Sequence, residues 1–228
     1  MSFNGFPAEG LAFLVELESN NNKAWFEANK RRYQTELLEP ALAFVTELGQ
    51  QLARVVPDIQ YDTRTDGRGT LTRIYRDVRF SQDKSPYNTH VNGLFWHGRG
   101  KKTEHPAFGF RLSTDGMGLM AGLFGFPKEM LEKYRHAAAT SGPELAHILA
   151  TLQSQGQYTV MGEQFKRVPA GFPADHPQAD LLRYAGLAVS PRPGLAPAVV
   201  QSTALVPTCM AHFERMAPVW YWLMRLEA

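Results

Sequence analysis

One cysteine, Cys209, stands in 228 residues, so no internal disulfide can form and a disulfide-stapled scaffold is excluded. Long hydrophobic runs are missing as well. The longest, Met216 to Met224, covers nine residues and contains Pro218, far short of the ~20 a membrane helix needs. Charge of one sign is scarce: 24 basic residues against 22 acidic ones leave a net +2. The opening residues, Met1 to Gly5, carry neither a basic stretch nor an apolar one, so no signal peptide is expected. These absences read as a cytoplasmic protein with no membrane association. What is present is a globular balance, 44% hydrophobic and 20% charged. At this length one domain can bury roughly 70% of the surface of its unfolded chain.

The small net charge is unevenly spread. Between Arg64 and Lys102 nine basic residues face three acidic ones, which makes this stretch +6 and the remainder −4. A segment of that sign suits an anionic partner, or else a solvated face laced with internal ion pairs.

The hydrophobic pattern divides the chain by texture, without repeats or low-complexity stretches. Leu11, Phe13, Leu14 and Leu17 share a helical face after Pro7. Asn20, Asn21 and Asn22 end that helix and cap the next. Helical spacing runs on from Lys23 to about Val56, with Pro40 predicting a break or a kink. Strands are expected over 59–63, 70–79, 90–97, 107–113 and 117–124, the last two flanking Asp115-Gly116 as a hairpin. Helices are expected over 127–139 and 143–154, and a further strand from Tyr158 to Val168. Six of the fifteen prolines lie between Pro169 and Pro197, so that stretch reads as irregular, with a short helix near 177–185. The tail from about 202 to 226 is helical, with Met210, Phe213, Met216, Trp220, Leu223 and Met224 as its apolar stripe. Helices, then consecutive strands, then helices give an α+β fold class. The expectation is a single domain over 1–228, with a mainly antiparallel sheet of about five or six strands covered by helices from both chain ends.

Chemistry concentrates in residues 73–90. On a strand over 71–79, Ile74, Arg76 and Val78 share one face, and Arg73, Tyr75, Asp77 and Arg79 the other. Arg76 then lies partly buried and needs a carboxylate, carbonyls or a bound anion as partner. The strand rise separates Arg73 from Arg79 by ~20 Å, too far to grip one phosphate, whereas Asp77 and Arg79 are ~7 Å apart and can meet. From Ser81 to Pro86 the chain turns, which can bring Lys84, Tyr87 and His90 back beside Arg79. The candidate site is Arg76 or Arg79, Lys84, Tyr87 and His90 around one pocket, with Asp77 or Asp83 as orienting carboxylates. Arg73, Arg76, Arg79, Asp83, Lys84 and Tyr87 are the candidate ligand-binding residues. Arg79 and Lys84 would hold an anion. Tyr87, His90 and Asp77 are the catalytic candidates: Tyr87 or His90 as acid or base near neutral pH, and Asp77 orienting Arg79. The same residues also spell an internal salt-bridge network.

This segment resembles an uncharacterised family of bacterial proteins with fungal relatives, DUF2461. Its pattern is Arg-x-x-Arg-Asp-x-Arg-Phe-x-x-(Asp/Asn)-Lys-x-x-Tyr. Arg73, Arg76, Asp77, Arg79, Phe80, Asp83, Lys84 and Tyr87 match it at eight positions in fifteen. Phe13-Leu14, Asn21-Asn22, Trp25-Phe26 and Tyr33 are similar to the family's opening, and Lys166-Arg167-x-Pro169-x-Gly171-Phe172 to a later stretch. The resemblance implies a shared fold over nearly the whole chain and supplies no activity.

Other motifs fall away. Ser81-x-x-Lys84 has the spacing of penicillin-recognising acyl enzymes, but Pro86 and the turn composition argue against the helix those enzymes need, and no Lys-Thr-Gly follows. Gly116-x-Gly118-x-x-x-Gly122 misses the dinucleotide fingerprint. Asp58, Asp62 and Asp66 are spaced by four, unlike a calcium loop. Neither His-x-His nor His-Glu-x-x-His occurs, so no metal and no cofactor are expected. Cys209 reads as a small core residue. Three functions stay open: binding or turnover of a small phosphate- or carboxylate-bearing ligand at 73–90; nucleic-acid binding through 64–102, where Tyr75, Phe80, Tyr87, Phe95 and Trp96 interleave with the charge; and a non-catalytic interaction module braced by the cluster.

Overall fold

A computed structural model describes residues 3–227 of the protein. They gather into two compact units. The first runs to Phe95 and adds Gly109–Gly118 and Gly194–Met210. The second comprises Trp96–Phe108, Leu119–Pro193 and the chain from Ala211 on. The fold class is α+β, with five antiparallel strands in the order β1-β2-β3-β5-β4.

The first unit opens with α1 (Ala8–Ser19), which buries Leu11, Phe13, Leu14 and Leu17 as its spacing requires. Asn22 caps α2 (Lys23–Arg32) by accepting from the Trp25 N–H at 3.0 Å. The break expected at Pro40 does not occur. A π-helical stretch, Tyr33–Leu38, carries the chain straight into α3 (Glu39–Val55), and Pro40 follows on this widened turn, which keeps the helix continuous past the missing N–H. Phe44, Val45, Leu48 and Leu52 of α3 are buried, and Phe44 meets Phe110 edge to face at 5.0 Å.

Residues 59–63 and 70–79 are not strands. They are extended, but only isolated bridges form, Leu71 with Gly93 and Tyr75 with Tyr87. Side chains have taken backbone groups that a ladder would use. Asp62 accepts from the Arg64 N–H, Asp77 from the Arg79 N–H and Asp83 from the Ser85 N–H. Beyond them β1 (Val91–Trp96), β2 (Ala107–Ser113) and β3 (Gly116–Leu123) follow the expected pattern. The hairpin turn is Thr114-Asp115, one residue earlier than predicted.

In the second unit one helix, α4 (Lys128–Ser154), replaces the two expected. Pro143 sits inside it, and the buried stripe Met130, Tyr134, Ala138, Leu145, Leu149 and Leu152 holds the helix together across the lost hydrogen bond. Strand β4 (Tyr158–Met161) is shorter than predicted, and α5 is one turn, Ala179–Leu182. The proline-rich stretch read as irregular contains β5 (Leu187–Pro191). All five residues of β5 are buried, and it pairs with β3 through Ala121–Val189 and with β4 through Val160–Val189. A fully buried strand shows no alternation, and flanking prolines hid it. After α6 (Pro197–Val200), the predicted C-terminal helix is α7 (Leu205–Met224). Its Trp220 lies on Phe108 at 5.3 Å and donates to the Pro106 carbonyl at 3.0 Å. Cys209 is buried, and burial pushes its thiol far above the ordinary range, so it is inert. Among the described residues no helix is long and apolar enough to cross a membrane.

Backbones approach closely where β3 meets β5. Gly122 has φ of +130°, and a Cβ there would collide with the Leu187 carbonyl. Gly156 also has positive φ, +68°, but faces open space. Gly122→Ala is therefore expected to cost about 3 kcal/mol or more and Gly156→Ala only about 1. Thermal unfolding should show Gly122→Ala melting several degrees below Gly156→Ala; equal losses would mean that β3 and β5 are not packed this closely.

Candidate functional site

The 73–90 segment lies wholly in the first unit. Ile74–Arg76 runs antiparallel to Pro86–Asn88: the Arg76 N–H donates to the Pro86 carbonyl at 2.9 Å and the Asn88 N–H to the Ile74 carbonyl at 2.7 Å. The residues between, 77–85, form a loop. The face alternation expected of a strand survives without a ladder, because the backbone is still extended. Ile74 is buried and Arg76 and Val78 half-buried, while Arg73, Tyr75, Asp77 and Arg79 are exposed.

Arg76 has the partner its burial demands. Its side chain is 25% exposed, and Nη1 donates to Asp83 Oδ2 at 2.5 Å and to the Ser85 carbonyl at 3.0 Å. Asp83 in turn accepts from the Ser85 hydroxyl at 2.6 Å and the Ser85 N–H at 2.9 Å. The Ser85 donors, followed by Arg76, hold the Asp83 carboxyl at about 2. Across the loop, Arg79 clasps Asp77 with Nε and Nη2, at 2.9 and 2.7 Å, and holds that carboxyl at about 2 as well. Lys84 Nζ donates to the Val78 carbonyl at 3.0 Å. Five predicted residues, Arg76, Asp77, Arg79, Asp83 and Lys84, thus meet in one loop as two ion pairs and a lysine tie.

Tyr87 and His90 have other surroundings. Tyr87 is 3% exposed, stacked on Phe26 at 4.1 Å, and its backbone is clamped by Asn21, which accepts from the Tyr87 N–H at 3.0 Å and donates to its carbonyl at 2.9 Å. Burial pushes its hydroxyl pKa upward. His90 was expected to titrate near neutrality; instead burial, then the nearby Arg111 and Arg76, bring it down to about 4. Its Nδ1 accepts from Arg111 Nη2 at 3.0 Å, which needs the neutral ring. Arg73 is exposed, its stem lies against Gly67, and its guanidinium has no ion-pair partner among the described residues.

Of the six basic residues that this unit takes from the middle stretch, four are held by a carboxylate at short range, Arg76 by Asp83 among them. Asp62, Asp66 and Asp77 each pair with the arginine two residues on, at 2.5, 3.8 and 2.7 Å. What remains outward is aromatic as well as basic. Phe80 at the loop is 95% exposed with the Arg79 guanidinium 5.8 Å from its ring centre, and Tyr75 is 49% exposed. Among the described residues no group of three or more His, Cys, Asp or Glu is arranged to hold a metal ion.

Sequence reasoning missed Asn21, Phe26, Ser85 and Arg111. Asn21 lies 66 residues from the backbone it holds, and only its redundancy beside the capping Asn22 hinted at a second task. The Arg111–His90 contact crosses 21 residues and left no local trace.

Two outcomes follow. Arg76→Ala should cost about 2 kcal/mol, roughly 4–8 °C in melting temperature, because Arg76 is the half-buried member of its ion pair and also donates to the Ser85 carbonyl. Arg79→Ala, removing an exposed pair, should stay within about 0.5 kcal/mol. Equal effects in a thermal melt would mean that the two pairs are equivalent. The pH dependence has a definite sign. Asp83 is depressed in the fold, so its stabilisation is full above its unfolded value of about 4 and disappears as pH falls through about 2. His90 is also depressed, so the fold loses stability as pH falls from about 6.5 through about 4. The melting-temperature gap between wild type and Asp83→Asn should hold above roughly pH 5 and close towards pH 2; a gap that persists there would disprove the Asp83 assignment.

A search of curated proteins finds no match, and a search of solved structures finds none. A family model does match, that of the Conserved hypothetical protein (DUF2461), over residues 9–222. The match takes in both units and the whole braced loop, so the chain belongs to this family.

Proposed function

We propose that residues 73–90 form a non-catalytic recognition loop, and that its ligand carries phosphate beside a stackable ring, as a nucleotide unit does. The observation that carries this reading is Phe80, 95% exposed on a loop whose charged side chains are tied down. Its ring is open to a partner, and the Arg79 guanidinium already stands over it at 5.8 Å. On the same loop Arg79 and Lys84 offer exposed cations, and the run leading into it carries Arg73 and a second exposed ring, Tyr75. Aromatic faces with flanking cations hold bases and phosphates without reading sequence. The rigid ties of Arg76 to Asp83 and of Lys84 to Val78 favour a preformed surface over one ordered on binding. A non-catalytic role is favoured because the acid and base candidates are committed: Tyr87 to the core and His90, as a neutral acceptor, to Arg111. A cytoplasmic location agrees with the single, buried cysteine.

The test is fluorescence anisotropy at low salt with a labelled single-stranded oligonucleotide in one arm and a labelled nucleoside triphosphate in the other. Binding in either arm should weaken about tenfold in Phe80→Ala, the cost of one stacked ring. Lys84→Ala should lower the salt dependence of strand binding by about one phosphate contact. Saturation by the mononucleotide identifies a small-molecule ligand, and binding of the strand alone identifies nucleic acid. No binding in either arm at roughly 50 mM salt, or full affinity in Phe80→Ala, overturns the proposal.

A further inference from the structure

The second unit holds a cleft that none of the motif residues lines. Its volume is about 650 Å³, within the range of small-molecule sites. Met130, Met224 and Leu226 give it an apolar floor, and charged side chains stand around them. Most of the acidic ones are already spoken for. Glu104 receives Lys101 at 2.9 Å, and Glu227 meets His105 Nδ1 at 2.9 Å while the other nitrogen of that ring reaches the Arg99 carbonyl at 2.9 Å. Two cations on the wall, Arg99 and Lys133, have no ion-pair partner among the described residues. Glu129 is the carboxylate left over, one helical turn before Lys133 on α4, and the two do not pair. His97 also lines the cleft, and its buried Nδ1 has no hydrogen-bond partner among the described residues.

From these features we infer that the cleft binds a small organic anion with an apolar body. The acidic group meets Arg99 and Lys133, where a planar guanidinium and an ammonium suit a carboxylate or a phosphate equally. The body lies on Met130 and Met224, side chains that adapt to irregular apolar shapes. Glu129 repels a second negative charge on the ligand, so a singly charged amphiphile is preferred over a polyanion. The site is independent of the 73–90 loop, and its ligand class differs from the phosphate-and-ring unit proposed there.

A pair of dyes sharing one apolar body tests this directly. Anilinonaphthalene sulfonate carries an anionic group, and N-phenylnaphthylamine is the same ring system without it. In fluorescence titrations of the native protein the sulfonate dye should bind at least tenfold more tightly than the neutral one. The double variant Arg99→Ala/Lys133→Ala should lose at least tenfold in affinity for the sulfonate dye while its melting temperature stays put, since both side chains are exposed. Phe80→Ala should bind the dye like wild type, which separates this site from the loop. Equal affinity for the two dyes would reduce the cleft to an apolar surface. Undiminished sulfonate binding in the double variant, or no binding by the native protein, would also overturn the assignment, and the dye comparison on the native protein stands even if a variant fails to fold.

Discussion

Arg76 is the constraint on which the 73–90 segment depends. Its position beside Ile74 on an extended run carries its stem towards the interior, and a guanidinium at that depth must be hydrogen-bonded. The chain meets this demand by turning back on itself, so that Asp83 and the Ser85 carbonyl arrive at Nη1. Once they are there, the antiparallel pairing of Ile74–Arg76 with Pro86–Asn88 follows, and with it the register that sets Tyr75 opposite Tyr87. Tyr87 then reaches Phe26, and Asn21 seals its backbone. A single partly buried charge thereby ties the loop to the helical part of its own unit.

The same economy leaves few bare cations on the loop and the run that leads into it. Aspartate two residues before arginine lets one carboxylate take both the backbone N–H and the side chain of the arginine, as Asp62 does for Arg64 and Asp77 for Arg79. A net charge says how many cations are in excess and not which of them lack a carboxylate. Arg73 and Lys84 are the cations of the loop without a carboxylate within ion-pair reach among the described residues. Beside these two cations the segment exposes the ring of Phe80, which carries the Arg79 guanidinium at 5.8 Å.

Legibility in the sequence followed the range of the interaction. The helices α1 and α7, the Asn22 cap and the β2–β3 hairpin rest on periodicity or on contacts within a few residues, and they were readable. The partial burial of Arg76 and the Asp77–Arg79 contact followed from strand geometry alone, even though no ladder forms. Elements that rest on tertiary context were not readable. Pro143 argued for two helices, and the buried stripe of α4 overrode it. Strand β5 lies amid prolines and is apolar on both faces, so neither period could reveal it. His90 looked like a titrating base because the arginine facing it lies 21 residues downstream.

The split between a braced loop and an open cleft bears on how function is sought in this chain. The motif drew attention because it is dense in catalytic residue types, yet density of that kind is also what a loop requires to satisfy its own polar groups. A reaction centre needs groups left uncommitted, able to exchange a proton or grip a ligand without first breaking a tie. By that criterion the loop has few: its carboxylates are held near 2 by their donors, and its histidine is held neutral. Arg99, Lys133, Glu129 and the buried nitrogen of His97 meet the criterion better, although they are scattered over 37 residues of sequence and form no motif. Uncommitted polarity around apolar side chains, rather than a conspicuous run of charged letters, is the feature by which a binding site is best sought.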